Sequence, residues 1–235
     1  MPRTSLPSGF DWGKLARELD ERGHARLPGL LAPTECRELA ALYGEARPFR
    51  KRVVMEQHRF GAGEYQYFGY PLPPLVRALR TALYAKLAPI ANAWGARLGS
   101  RERYPASLTG FLARCREHAQ TRPTPLLLHY RAGGYNRLHQ DLYGAVAFPL
   151  QLTCLLSKPG SDFTGGEFLL LENRPRMQSR GEAIALEQGE AIVFPTRERP
   201  VSGPRGDSRA QMRHGVSVVR SGERTTLGII FHDAQ

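Results

Sequence analysis

His139 and Asp141 stand two residues apart in the segment LHQDLYG. In a β-strand, residues i and i+2 project from the same face, so an imidazole and a carboxylate at this spacing reach a common ion. A third ligand is needed, and His214 supplies it from a later strand-like segment, 73 positions after Asp141. Two histidines and one carboxylate on one side of an ion leave coordination positions open. That donor set suits Fe(II) and differs from a closed structural zinc site. The HxD pair alone is a weak signal, because a strand histidine satisfied by a nearby carboxylate reads the same way.

The pair has companions. Ten residues after His214, past the turn RSGE, Arg224 opens the next strand, where its planar fork suits a carboxylate remote from the ion. Tyr130 lies nine residues before His139, just ahead of an RAGG turn, and its hydroxyl is placed for the same carboxylate. Thr226, two past Arg224 on the same face, is either a further hydrogen-bond partner or an ordinary β-branched strand residue.

The ligands need a rigid frame, and the apolar period changes along the chain to provide one. Before residue 122 it is helical. DWGKLARELDERG carries Trp12, Leu15 and Leu19, with Asp11 as N-cap and Gly23 as stop, and APTECRELAALYGEA repeats the design. Residues 75–98 form a long apolar stripe that Pro89 is expected to kink or interrupt, and a further helix is expected at 106–119. From residue 125, PLLLHY, VAFPLQLTCLLS, GEFLLLEN, AIALEQGEAIVFP, QMRHGVSVV and TTLGIIFHD read as short strands separated by turns. The expected fold is α+β: a double-stranded β-helix (jelly-roll) barrel at 123–235 with a helical N-terminal layer at 1–122, together one compact unit.

Composition narrows the function classes. The chain has 235 residues, 41% of them hydrophobic, so it can bury a full core. It has no apolar run of membrane-spanning length and no secretory-type N-terminal stretch, so a cytoplasmic protein without a membrane partner is expected. Cys36, Cys115 and Cys154 are odd in number and widely spaced, which fits neither a disulfide framework nor a cysteine zinc site. Lys and Arg exceed Asp and Glu by 33 − 22 = 11, a balance that attracts polyanions, nucleic acid first among them.

With these residues assembled, the chain resembles the 2-oxoglutarate- and Fe(II)-dependent dioxygenases over residues 125–232. The resemblance implies iron on His139, Asp141 and His214, Arg224 paired with the far carboxylate of 2-oxoglutarate, and a GGEF segment, here 165–168, between them. The stretch YRAGGYNRLHQD, from Tyr130 to Asp141, is similar to that of the AlkB-type nucleic-acid dealkylases. LHQDLYG, DFTGGEF, RHGVS and LGIIFHDA resemble a bacterial oxygenase family assigned to oxidative repair of alkylated DNA. Two positions depart from the AlkB pattern: Leu128 replaces an asparagine two residues before the tyrosine, and Ile230 replaces an arginine six residues beyond Arg224.

The implied activity is oxidative demethylation of alkylated nucleic acid, DNA ahead of RNA, by a monomer. A protein or amino-acid (prolyl-type) hydroxylase uses the same iron site and is the alternative. A basic scaffold that binds metal without turnover is a third reading, opposed by the intact set of ligands. Candidate substrate residues are Tyr143, close to the iron-binding aspartate; Arg213, beside His214; and Tyr65 and Tyr67, in the aromatic segment FGAGEYQYFGY, as parts of a lid. The segment 197–213, with five arginines and two acids, is expected to be a phosphate-holding loop at the barrel mouth.

Overall fold

The computed structural model describes residues 6–45, 47–204 and 206–235. The chain begins with α1 (Trp12–Arg22), β1 (Ala25–Leu27), α2 (Pro33–Ala41), β2 (Phe49–Val54), β3 (Gly61–Ala62) and β4 (Glu64–Phe68). The long α3 (Pro74–Arg97) and α4 (Leu108–Glu117) follow. Next come β5 (Leu126–Arg131), β6 (Tyr135–His139), β7 (Leu150–Leu155), β8 (Phe163–Gly165) and β9 (Phe168–Asn173). The last five strands are β10 (Arg180–Ile184), β11 (Ala191–Pro195), β12 (Glu198–Gly203), β13 (Gly206–Val216) and β14 (Val219–Ile229).

The helices start and stop where local chemistry dictates. Asp11 accepts a hydrogen bond from the Lys14 N–H at 2.9 Å, capping α1, and Gly23 ends the helix in the left-handed region at φ 80°. Ser107 caps α4 in the same way. α3 continues past Pro89, so the expected alternative of an interruption does not occur. The missing N–H costs one hydrogen bond, but Leu87, Ala88, Ala91 and Trp94 are buried on either side of it. That burial outweighs the lost bond.

Two antiparallel sheets face each other. The larger runs β1-β11-β7-β14-β5-β4-β2 and the smaller β10-β9-β13-β6-β3, with β8 on β14 and β12 on β13. This is the double-stranded β-helix. The helices cover the outer face of the larger sheet: Leu15, Leu19, Leu83 and Leu87 share one core with Leu152, Val193, Leu227 and Ile229. A second core between the sheets contains Leu155, Phe168, Leu170, Ile192, Phe194 and Met212. Strand alternation therefore sends Leu227 and Ile229 toward the helices, and Arg224, Thr226, Gly228 and Ile230 into the space between the sheets.

The N-terminal part is less purely helical than its periodicity suggests. β1 pairs with β11, β4 with β5 and β3 with β6, so this part extends both sheets. Such short strands are stabilised by their partners rather than by their own pattern. Among the described residues, no helix is long and apolar enough to cross a membrane.

α3 is also tied to the end of β14 by a buried pair. Arg80, 1% exposed, donates to Asp233 at 2.8 Å, to the carbonyls of Ile230 and Phe231, and to the Tyr70 hydroxyl. Replacing Arg80 by alanine leaves Asp233 buried without its cation, and is expected to cost about 3–5 kcal/mol. Urea denaturation of the variant reads this as a lowered midpoint at unchanged slope.

Candidate active site

β6 and β13 are neighbours in the smaller sheet, and His139 is directly opposite His214 in their register. Their rings lie 4.2 Å apart between centroids. Asp141 follows β6 immediately and places Oδ2 at 3.2 Å from His214 Nε2 and Oδ1 at 3.6 Å from His139 Nε2. One ligand atom from each of the three residues falls within 4.8 Å of the others. The three ligands expected from the sequence thus converge on one point.

Their surroundings prepare them for a cation. His139 Nδ1 donates to the Arg137 carbonyl at 2.7 Å, so Nε2 keeps its lone pair toward Asp141. Burial holds the His214 imidazole below its ordinary pKa, and the neighbouring His139 acts in the same direction. The Asp141 carboxylate acts in the opposite direction on His214. Its ring is oriented by packing, 4.7 Å from Phe194 and stacked at 6.0 Å on Phe168. Burial alone would raise the Asp141 carboxyl, but His214, His139 and Tyr143 together hold it well below the usual range.

Two residues that hold this arrangement carry no sequence signal as supports. Gln140, between the two ligands, donates from Nε2 to the carbonyls of Met212 at 2.8 Å and Arg197 at 3.1 Å, fastening the segment to β13. Tyr143 donates to Asp141 Oδ1 at 2.6 Å. Tyr143 lines the cavity with its hydroxyl held by that carboxylate. Its pKa lies well above the ordinary value through burial and the Asp141 charge, so it remains a donor. Tyr143→Phe frees the carboxylate to rotate and is expected to weaken Mn(II) binding by about tenfold, read by isothermal titration.

The ligands open into a cavity of about 390 Å³ between the sheets, lined on the larger sheet by Tyr65, Tyr67, Leu128, Tyr130, Gln151, Arg224 and Thr226. Arg224 is 2% exposed, and its Nε and Nη1 have no partner among the described residues. Burial pushes its pKa down to about 10. Tyr130 is opposite it in register, fully buried, and its hydroxyl is also unpartnered. A buried guanidinium beside an unsatisfied phenol is costly unless an anion completes it. The arrangement fits the carboxylate of a dicarboxylic co-substrate, on the same cavity as the metal ligands. Gly166 makes room: a Cβ there would meet Arg224 Cδ at 2.7 Å, and its φ of +64° favours glycine independently. Gln151 Nε2 is a further buried donor without a partner among the described residues. A glutamine and Thr153 alternating in an apolar strand were the available hint.

The other substrate candidates divide. Tyr65 and Tyr67 face the cavity, but from β4, so they form wall and not lid. Phe68, on the opposite face of β4, belongs to the helix-side core. Arg213 is exposed, lies outside the cavity lining and alternates with the inward His214, so it is not placed to orient a substrate at the iron ligands. The segment 197–213 is a β12–β13 hairpin and not a mouth loop. Its Arg199 is buried on Glu172, Arg209 pairs with Glu198 at 3.0 Å, and Asp207 holds Arg97 at 2.8 Å. Arg205 lies outside the described residues.

Comparison with known proteins accords with this geometry. Residues 63–234 match the model of a family described as "Oxygenase, catalysing oxidative methylation of damaged DNA". Uncharacterized proteins of two Mycobacterium tuberculosis strains are 50% identical over 190 residues, covering 79% of this chain and 82% of theirs. The fold is similar to a Trichoplax adhaerens prolyl hydroxylase solved with a hypoxia-inducible-factor peptide, at TM-score 0.57 and 14% identity over 94% of this chain and 89% of that one. It is also similar to a Pseudomonas putida prolyl-4-hydroxylase, at TM-score 0.55 and 13% identity over 96% and 100% of the two chains. A 2-oxoglutarate-Fe(II) oxygenase-family oxidoreductase of Burkholderia pseudomallei gives TM-score 0.53 at 17% identity over 97% and 94%. The family match, covering most of the chain and all three of the converging ligands, makes this protein a member of that oxygenase family.

Proposed function

We propose that the protein oxidises N-alkyl carbons of damaged nucleic acid, with demethylation as the outcome. The observation that carries this reading is the family match over residues 63–234, whose description names damaged DNA. Bound Fe(II), with 2-oxoglutarate and O₂, supplies an oxidant that hydroxylates a C–H bond while 2-oxoglutarate leaves as succinate and CO₂. A hydroxylated N-methyl group is a hemiaminal and releases formaldehyde.

The residues of this chain have separate tasks in that reaction. His139, Asp141 and His214 would hold the metal through two imidazoles and one carboxylate. Arg224 and Tyr130 bind the far carboxylate of the co-substrate, with Thr226 on the same face, and so fix which way the co-substrate enters. Tyr143 and Gln140 keep the ligands in register. Tyr65, Tyr67 and Phe194 supply aromatic walls on which a base removed from its stack can lie.

The test is mass spectrometry of methylated oligonucleotides and of candidate peptides, each incubated with Fe(II), 2-oxoglutarate and O₂. Loss of a methyl group from a base, with formaldehyde and succinate in equal amounts, is the expected result. A peptide that gains one oxygen atom while every methylated base survives would replace this reading with a prolyl-type hydroxylase.

A further inference from the structure

The arginines of this chain are of two kinds. Three at or beside the β12–β13 hairpin, Arg199, Arg209 and Arg97, are internally paired. Arg59 and Arg137 differ: both line the mouth of the metal cavity, both are exposed, and neither has an ion pair among the described residues. Each is followed in the chain by an apolar side chain that a folded surface ordinarily covers. Phe60 is 47% exposed and Leu138 39%, and both line the same cavity. The four residues come from segments joined by backbone hydrogen bonding. The Arg137 N–H donates to the Phe60 carbonyl at 2.8 Å, and Gly61 is opposite Asn136 where β3 pairs with β6. Phe60 is also held in place by stacking on His58 at 5.2 Å. The rim is therefore preformed.

We propose that Arg59, Phe60, Arg137 and Leu138 are the docking rim for a single strand of nucleic acid, an inference that rests on the nucleic-acid reading above. Arg59 and Arg137 take the phosphates on either side of the target nucleotide. Phe60 and Leu138 take the face of the neighbouring base, and the target nucleotide turns into the cavity between them. Charge complementarity selects this occupant: two uncompensated guanidinium groups at an apolar edge match a ligand with regularly spaced negative charges and flat apolar faces. A peptide offers the second feature without the first.

The experiment is fluorescence anisotropy of a labelled oligodeoxythymidine titrated with protein loaded with Mn(II) and 2-oxoglutarate, at several salt concentrations. Arg59→Ala with Arg137→Ala is expected to weaken binding by about tenfold and to flatten the slope of log K against log salt by roughly 1.4, about 0.7 for each single-strand phosphate released. Phe60→Ala with Leu138→Ala is expected to weaken binding by about tenfold at an unchanged slope, because stacking releases no counterions. Arg17→Ala with Arg77→Ala removes the same charge from the helical layer and should bind as the parent does. All variants are compared by circular dichroism melts, and Arg59→Glu with Arg137→Glu, which preserves side-chain bulk at the exposed rim, must weaken binding further. Salt-sensitive binding by the parent that the rim variants retain would overturn the rim and leave the nucleic-acid reading standing. A parent that shows no salt-sensitive binding would overturn both.

Discussion

Arg224→Met is expected to abolish 2-oxoglutarate binding and leave the fold at least as stable as before. The two effects have one cause. The guanidinium is buried, with Nε and Nη1 unsatisfied and no ion pair to a carboxylate among the described residues, so its charge is a cost to folding. Methionine fills similar volume without that cost, and the variant should match or exceed the parent in stability by up to about 2 kcal/mol. The co-substrate, however, loses its counter-charge in a dry site. Removing one partner of a buried pair costs about 3–5 kcal/mol, which weakens 2-oxoglutarate binding by roughly 10²- to several 10³-fold. Melting curves with and without 2-oxoglutarate, in the presence of Mn(II), separate these effects. The parent should gain stability from 2-oxoglutarate and Arg224→Met should not. An equal gain in both would show that Arg224 does not bind the co-substrate.

Asp141→Ala should remove metal binding just as fully. Two facing imidazoles remain, without the carboxylate that supplies the third ligand and the negative charge. A four-ligand site yields about 10–16 kcal/mol, so one ligand is worth about 3 kcal/mol and its loss weakens binding by about 10²-fold or more. At a hundred times its dissociation constant, Mn(II) stabilises the parent by about 2.7 kcal/mol, a rise of roughly 5–10 °C in melting temperature for a chain of this size. Asp141→Ala should show almost none of that rise at the same Mn(II) concentration. A full rise in the variant would place the ion elsewhere.

Corrections at the substrate end share an origin. Arg199 and Glu172 are 27 positions apart, and Arg97 and Asp207 are 110 apart, so nothing local reveals that these arginines are neutralised by partners. A segment rich in arginine reads as a phosphate loop until the fold brings its acids alongside. The aromatic segment before residue 70 misleads in a related way. Tyr65 and Tyr67 face the cavity because β4 adds to β5, a pairing with a strand more than fifty positions later. Phe60 and Leu138 carry no mark of their exposure, since apolar residues beside a strand are ordinarily buried.

The His139, Asp141 and His214 set was legible in the chain itself from its spacing, and Asp141 keeps the side of His139 from just beyond the end of β6. A residue two places from another on a strand shares its side, whatever the rest of the fold does. The strand-rich C-terminal half and the capped helices followed from equally local rules. Which donors surround the ligands depended on the tertiary structure: Tyr143 on Asp141, Gln140 on β13, and, among the described residues, Arg224 with Nε and Nη1 unpartnered. Charge compensation and burial are properties of neighbours in space, and chain separation does not determine which neighbours a side chain will have.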